Sequence, residues 1–321
     1  DLKTGGALDN RGGTLQAAGR ATVSARSLDN TAGRIVSLNG DGLAVSTSGT
    51  LVNGAGGSIG TNGALDVSAG TLANQGSISV AGNAAIQAQS IDNHAGKITS
   101  GGVLTATTSG VLQNAGGTLS SATTTVSAAS IDNTNGDING DALNVSTSGA
   151  FVNRGGKIIQ YGANDQRITA GGALDNTGGT IASNAANLSV TGQSIANDGG
   201  AVQHAGVGAL ALNSNGALSN ASGKLITNGA LALNTGALDN RAGTIQAASR
   251  ADVHAVSLDN TAGRLVSLNG DGLGVSVTGA LLNGPNGVMG SNGGLDLTAL
   301  TLSNAGQLTA SGDAHVHAQT L

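Results

Sequence analysis

Leu28-Asp29-Asn30-Thr31-Ala32-Gly33-Arg34 returns letter for letter as Leu258-Asp259-Asn260-Thr261-Ala262-Gly263-Arg264. Its first three positions, an aliphatic residue, any residue and Asn, occur all along the chain. The Asn stands at Asn10, Asn30, Asn53, Asn74, Asn93, Asn114, Asn133, Asn153, Asn176, Asn197, Asn220, Asn240, Asn260, Asn283 and Asn304. Successive Asn lie roughly 19 to 23 positions apart and about 21 on average, a fixed period of the length that marks a solenoid or an array. A Gly usually follows two or three residues later, then Ile or Leu. Each unit closes on a stretch such as Gly63-Ala64-Leu65-Asp66-Val67-Ser68-Ala69, where apolar and small polar residues alternate. Alternation of period two marks strands buried on one face.

Three short strands in every such period describe one coil of a triangular solenoid. The expected fold is all-β, a right-handed parallel β-helix of about 15 coils running as one continuous segment over residues 1–321. Each strand then lies on its copy one coil later, about 4.8 Å away, and the coils predict a rod of roughly 70 Å. No coil can bury its apolar side alone, so stability accumulates through neighbours. Stacked Asn side chains are expected to form an internal hydrogen-bonded spine that satisfies the turn backbone.

Composition agrees with a narrow, regular interior. There are 55 Gly but one Pro, one Phe (Phe151), one Tyr (Tyr161), one Met and no Trp. All 18 acidic residues are Asp, and a chain without Glu but rich in Gly, Asn, Ser and Thr is poor in helix. The recurring 39% of hydrophobic residues argues against disorder. A net charge of −5 gives no support to a nucleic-acid partner. With no Cys, disulfides, thiolate metal sites and a Cys nucleophile are excluded. No apolar run is long enough for a transmembrane helix. The chain starts and stops inside the repeat, so it reads as a piece of a longer protein whose cut end coils would stack end to end.

A longer period is also present. Residues 8–54 match 238–284 at an offset of 230. One stretch breaks the pattern, 157–169, which holds Tyr161 and follows Phe151. A bulge or loop is expected there, and Phe151, Tyr161 and Arg167 are the candidate contact patch.

Leu8-Asp9-Asn10-Arg11-Gly12-Gly13-Thr14-Leu15 and Leu174-Asp175-Asn176-Thr177-Gly178-Gly179-Thr180-Ile181 resemble the filamentous haemagglutinin repeat of two-partner secretion exoproteins. That family includes filamentous adhesins and the toxin carriers of contact-dependent growth inhibition. The resemblance implies export through an outer-membrane partner transporter and a cell-surface or secreted location. It covers essentially the whole chain, which carries neither the family's amino-terminal secretion domain nor a toxin domain.

Candidate chemistry is sparse. Asp9, Asp29, Asp92, Asp132, Asp175, Asp239 and Asp259 point outward in the motif, and only Asp9 with Asp29 and Asp239 with Asp259 fall in adjacent coils. Arg11 and Arg241 are placed to neutralise them. Glycoside hydrolysis needs two carboxylates, one of raised pKa, and ordinary solvated Asp pairs do not supply that. Asn39-Gly40-Asp41-Gly42, Asn139-Gly140-Asp141 and Asn269-Gly270-Asp271-Gly272 read as turns rather than calcium loops. His315 and His317 share one strand face and read as a solvated pair. No catalytic, cofactor or metal site is expected. The leading functional reading is a structural stalk of a surface exoprotein. The alternatives are an adhesive surface for a host or neighbour-cell glycan or protein, and a carbohydrate-active β-helix enzyme.

Overall fold

A computed structural model describes all 321 residues, Asp1–Leu321. The chain is all β and carries no helix. It divides into two compact units, Asp1–Phe151 and Val152–Leu321. Each is a parallel β-solenoid, and the fifteen Asn mark about 15 turns of ~21 residues in all. Three strands make a coil, as in Ser27–Asp29, Arg34–Ser37 and Leu43–Thr47. The aliphatic-x-Asn triplet forms the first strand, and the second follows the Gly. In several coils the third strand runs straight into the next first strand, as in Leu65–Asn74.

The pairing is parallel and in register. In the first unit Ile35, Ile59, Ile78, Ile98, Leu119 and Ile138 stack in one column. In the second unit Ile158, Ile181, Val202, Leu225, Ile245, Leu265 and Met289 do the same. All of these side chains are buried. Removing each from water contributes roughly 1.5–3 kcal/mol, but only because a like residue lies above and below it. Coil length varies without disturbing these columns. The slack falls at corners, as between Val277 and Ala280, where the pairing register shifts.

The corner after the first strand is the most regular feature. The carbonyl of Asn30 accepts the N–H of Gly33 at 3.0 Å, closing a four-residue turn. Ala32, its third residue, has φ 54°, the left-handed region. Ala95, Ala242 and Ala262 share that conformation, at 53°, 54° and 54°. A non-glycine residue there costs roughly 1–2 kcal/mol. The residue after it must be Gly for a separate reason, the nearness of the coil below. A methyl group at Gly117 would lie 2.1 Å from the Asn93 carbonyl oxygen and 2.7 Å from Asn114 Oδ1. Gly33, Gly136, Gly243 and Gly263 meet the same obstruction. Here close approach, rather than a left-handed φ, imposes glycine.

This architecture sets an order of sensitivity at one corner. Gly117→Ala is expected to disrupt the local coil, whereas Ala95→Gly is expected to raise stability by up to about 1 kcal/mol. Thermal melts and native-state hydrogen exchange of the two variants check this; equal effects would contradict the close-approach account.

Candidate functional site

The first-strand Asn side chains form a spine in each unit. Within Asp1–Phe151, Asn10 donates through Nδ2 to Asn30 Oδ1, and so on through Asn53, Asn74, Asn93, Asn114 and Asn133, over 2.6 to 2.8 Å. Within Val152–Leu321 the chain of bonds runs from Asn153 through Asn176, Asn197, Asn220, Asn240, Asn260 and Asn283 to Asn304, over 2.7 to 2.9 Å. Asn93 shows the full use of one amide. Its Nδ2 also donates to Gly96 O and to Thr118 O, both at 3.2 Å, while its Oδ1 accepts from Asn74. Fourteen of the fifteen are buried, and Asn304 is exposed. The Asn amide offers two donor hydrogens and a separate carbonyl acceptor on one short, neutral side chain, where a hydroxyl offers one donor. The spine consumes those groups internally.

The middle Asp of the motif caps the same corner. Its Oδ1 accepts the backbone N–H two residues on, from Arg11, Thr31, His94, Thr134, Thr177, Arg241 and Thr261. This is an Asx turn. Thr31, Thr134 and Thr261 add a hydroxyl bond to the same oxygen. Sequence reading missed this capping role, although Asp placed two residues before Thr or Arg was its visible signal.

Asp9 lies in register with Asp29, and Asp239 with Asp259. One guanidinium sits at each pair. Arg11 lies 2.6 Å from Asp9 and 3.9 Å from Asp29; Arg241 lies 2.6 Å from Asp239 and 4.0 Å from Asp259. The Arg11 hydrogen bonds hold the Asp9 carboxyl down at about 2, and those of Arg241 lower Asp239. Burial works to raise Asp175, but bonds from Thr177 and Arg154 outweigh it and its pKa is lowered. Such carboxylates stay ionised and are ill suited to general acid work.

Two buried polar side chains behave differently in the third-strand interior columns. Thr124 is buried in the column of Leu104 and Leu143, and its hydroxyl bonds Asn139 O and Ser121 Oγ, each at 2.8 Å. Gln166 is buried beside Leu188, yet neither its Nε2 nor its Oε1 finds a partner. His204 is 2% exposed and sits at a corner. Ala185 O lies 3.0 Å from Nε2 and Thr227 Oγ1 lies 2.9 Å from Nδ1. A carbonyl oxygen can only accept, so Nε2 carries a proton and donates it to Ala185 O, while Thr227 Oγ1 also accepts the Gly229 N–H.

The candidate contact patch is corrected in part. Phe151 is 0% exposed and lies among the largest fully buried side chains, because its position belongs to the first-strand aliphatic column. It cannot meet a partner. Tyr161 is 54% exposed and Arg167 is exposed. The irregularity around them is narrower than expected. Lys157–Gln160 and Gln166–Ala170 are regular strands, leaving a loop over 161–165 that Gln160 Nε2 braces by donating to Gly162 O at 3.1 Å. The expected turn at Asn139-Gly140-Asp141 is also corrected. It lies inside the strand Asp137–Thr147, with Gly140 paired in register to Ser121. Asn39 and Asn269 do cap turns, accepting the N–H of Asp41 at 3.3 Å and Asp271 at 3.0 Å. His315 and His317 lie in register with Asp296 and Thr298 and are exposed.

A coil with an amide spine, a glycine corner and an Asp cap defines a repeat class. The chain belongs to the haemagglutinin repeat family, whose model matches residues 1–55, 60–116, 104–178, 161–222, 207–284 and 256–321. Among curated proteins it is similar to the tRNA nuclease CdiA-2 of Burkholderia pseudomallei (strain 1026b), at 37% identity over 94 residues. That match spans 27% of this chain and 3% of the relative. No solved structure matches the chain.

Two measurements follow from this chemistry. Asp9 contributes stability that is fully present above its ordinary value of 3.8 and is lost as pH falls toward about 2. Carbon-detected NMR titration is expected to place its midpoint near 2, and Arg11→Ala to move it up toward 3.8. Gln166→Leu replaces an orphaned amide by the residue its column uses, and is expected to stabilise by roughly 1–3 kcal/mol. A denaturant midpoint that falls instead would show that the amide is satisfied in solution.

Proposed function

We propose that this chain is a structural stalk segment of a large bacterial exoprotein, holding a distal adhesive or toxin-delivery module away from the cell. One observation carries the reading: the most repeated polar groups, the Asn amides, are used up in holding coil to coil. A segment built this way adds length without adding chemistry. The return of residues 8–54 at 238–284 supports it, since duplicating coils lengthens a solenoid. The segment is non-catalytic in this reading; the charge-stabilised Asp carboxylates support that.

Export through an outer-membrane partner transporter, and a cell-surface or secreted location, belong to the same proposal. They rest on the family and on the likeness to a CdiA protein. The relative's nuclease name describes that protein, of which the matched stretch is 3%.

A second reading, a directly adhesive side, is favoured by Tyr161 and Val207, which are 54% and 88% exposed. The two readings separate experimentally. Deleting residues 177–283, from Asn176 to Asn283, removes five repeats. In the full-length exoprotein this is expected to shorten the filament by about 24 Å with distal activity retained. Loss of target binding on Tyr161→Ala, with filament length unchanged, would overturn the pure stalk reading.

A further inference from the structure

The two copies of the duplicated block have drifted unevenly. On the outward side of the third strand and the corner after it, Thr22, Ser24 and Arg26 correspond to Asp252, His254 and Val256. On the second strand and the corner after it, the outward Gln16, Arg34 and Leu38 recur unchanged as Gln246, Arg264 and Leu268. Coil stability does not demand these three. Leu38 and Leu268 are 41% and 38% exposed, so much of their apolar surface stays in water. Arg34 donates to Gln16 Oε1 at 3.0 Å and Arg264 to Gln246 Oε1 at 3.2 Å, both in exposed contacts. Exposed polar contacts of this kind add little to folding. Neither guanidinium has a carboxylate within salt-bridge distance, unlike Arg11, Arg154, Arg241 and Arg250. On this face each copy therefore holds a cation with no carboxylate partner at the start of the second strand and an exposed leucine at the corner just past its end.

The first-strand face of the same chain offers the complement. In the second unit a shallow groove is lined by Ala237, Asp239, Ser257, Asp259, Ala280 and Leu282. Asp239, Asp259 and Leu282 are stacked in register. Arg241 is one guanidinium shared by two carboxylates, so the groove keeps a net negative charge next to Leu282, which is 37% exposed. One face thus presents a cation with an exposed leucine at the next corner, and the other an anion beside a leucine.

We propose that this segment associates side by side with a second copy of itself, the Arg264–Leu268 face of one copy, or its counterpart Arg34–Leu38, seating against the Asp259–Leu282 groove of another. A sparse row of cations, Lys224 and Arg264 two coils apart in one column, with an exposed leucine at the corner beyond suits a protein surface of this kind better than a polyanion, which calls for clustered cations. Because donor and acceptor faces differ, the contact is heterologous and leaves both faces free on the outer copies, so it propagates into bundles. The attraction is between exposed charges and weakens as salt screens it.

Sedimentation velocity on the 321-residue protein, over a concentration series at low and high salt, tests this. The expected result is concentration-dependent association that weakens with salt. Reversing both cations, R34E with R264E, is expected to weaken it by about a hundredfold, since like charges then face each other. Leu282→Lys is expected to do the same, and the triple variant to recover association through the exchanged charges. All three sites are exposed enough that circular dichroism and melting temperature should match the parent. A parent that stays monomeric overturns the proposal. So does association that R34E with R264E leaves unchanged, the result expected of end-to-end stacking.

Discussion

The amide-to-amide hydrogen bond between Asn residues of successive coils is the constraint on which the rest of this structure depends. Within each unit it demands that every Asn sit directly over the last, and the tight corner follows from that. With the amides 2.6 to 2.9 Å apart, the backbone after each Asn passes close above the coil below. Only a residue without a side chain fits at Gly33, Gly117 or Gly263. The glycine is a consequence of the spine as much as a turn former. Where the motif carries Asp, its carboxylate answers the backbone N–H after the Asn, which lies outside the strand ladder and needs an acceptor.

Elsewhere the solenoid is permissive. Coil length varies by up to four residues because loops at the other corners absorb the difference. The interior columns accept Ile, Leu, Val, Met or Ala at one level. They also accept Thr124, whose hydroxyl is answered within the coil stack. Gln166 marks the limit of that tolerance, a buried amide with nothing to bond. Buried polar groups are usually paired because an unmet donor or acceptor costs more than a bond contributes.

A framework that internalises its polar groups leaves its surface free to vary, and the duplicated block shows how it varied. Residues that cap the corner, Asp9 and Asp239 or Asp29 and Asp259, are the same in both copies and do the same capping in each. Residues on the third-strand face changed charge without consequence for the columns behind them. What stays constant without a structural demand is therefore the informative part of the surface. The Asn, constant for a structural reason, says little about partners.

The solenoid, its coil number and its spine were legible in the sequence because period is one-dimensional information. A residue that recurs once per coil must stack if the coils do, and Ile35 over Ile59 follows from spacing alone. Exposure was legible along the alternating strands but not where the pattern breaks, because there it depends on what a corner does with each side chain. Phe151 looked like a contact residue for its rarity, and its column took it inside. Asn139-Gly140-Asp141 read as a turn from composition, and strand pairing overrode it. Whether a polar residue is answered also escaped a linear reading, since the partners of His204 come from coils 19 and 23 residues away. The chain by itself determined which residues lie above one another. Only the tertiary structure decided which way each one faced and what met it there, because both are set by neighbours one full coil distant.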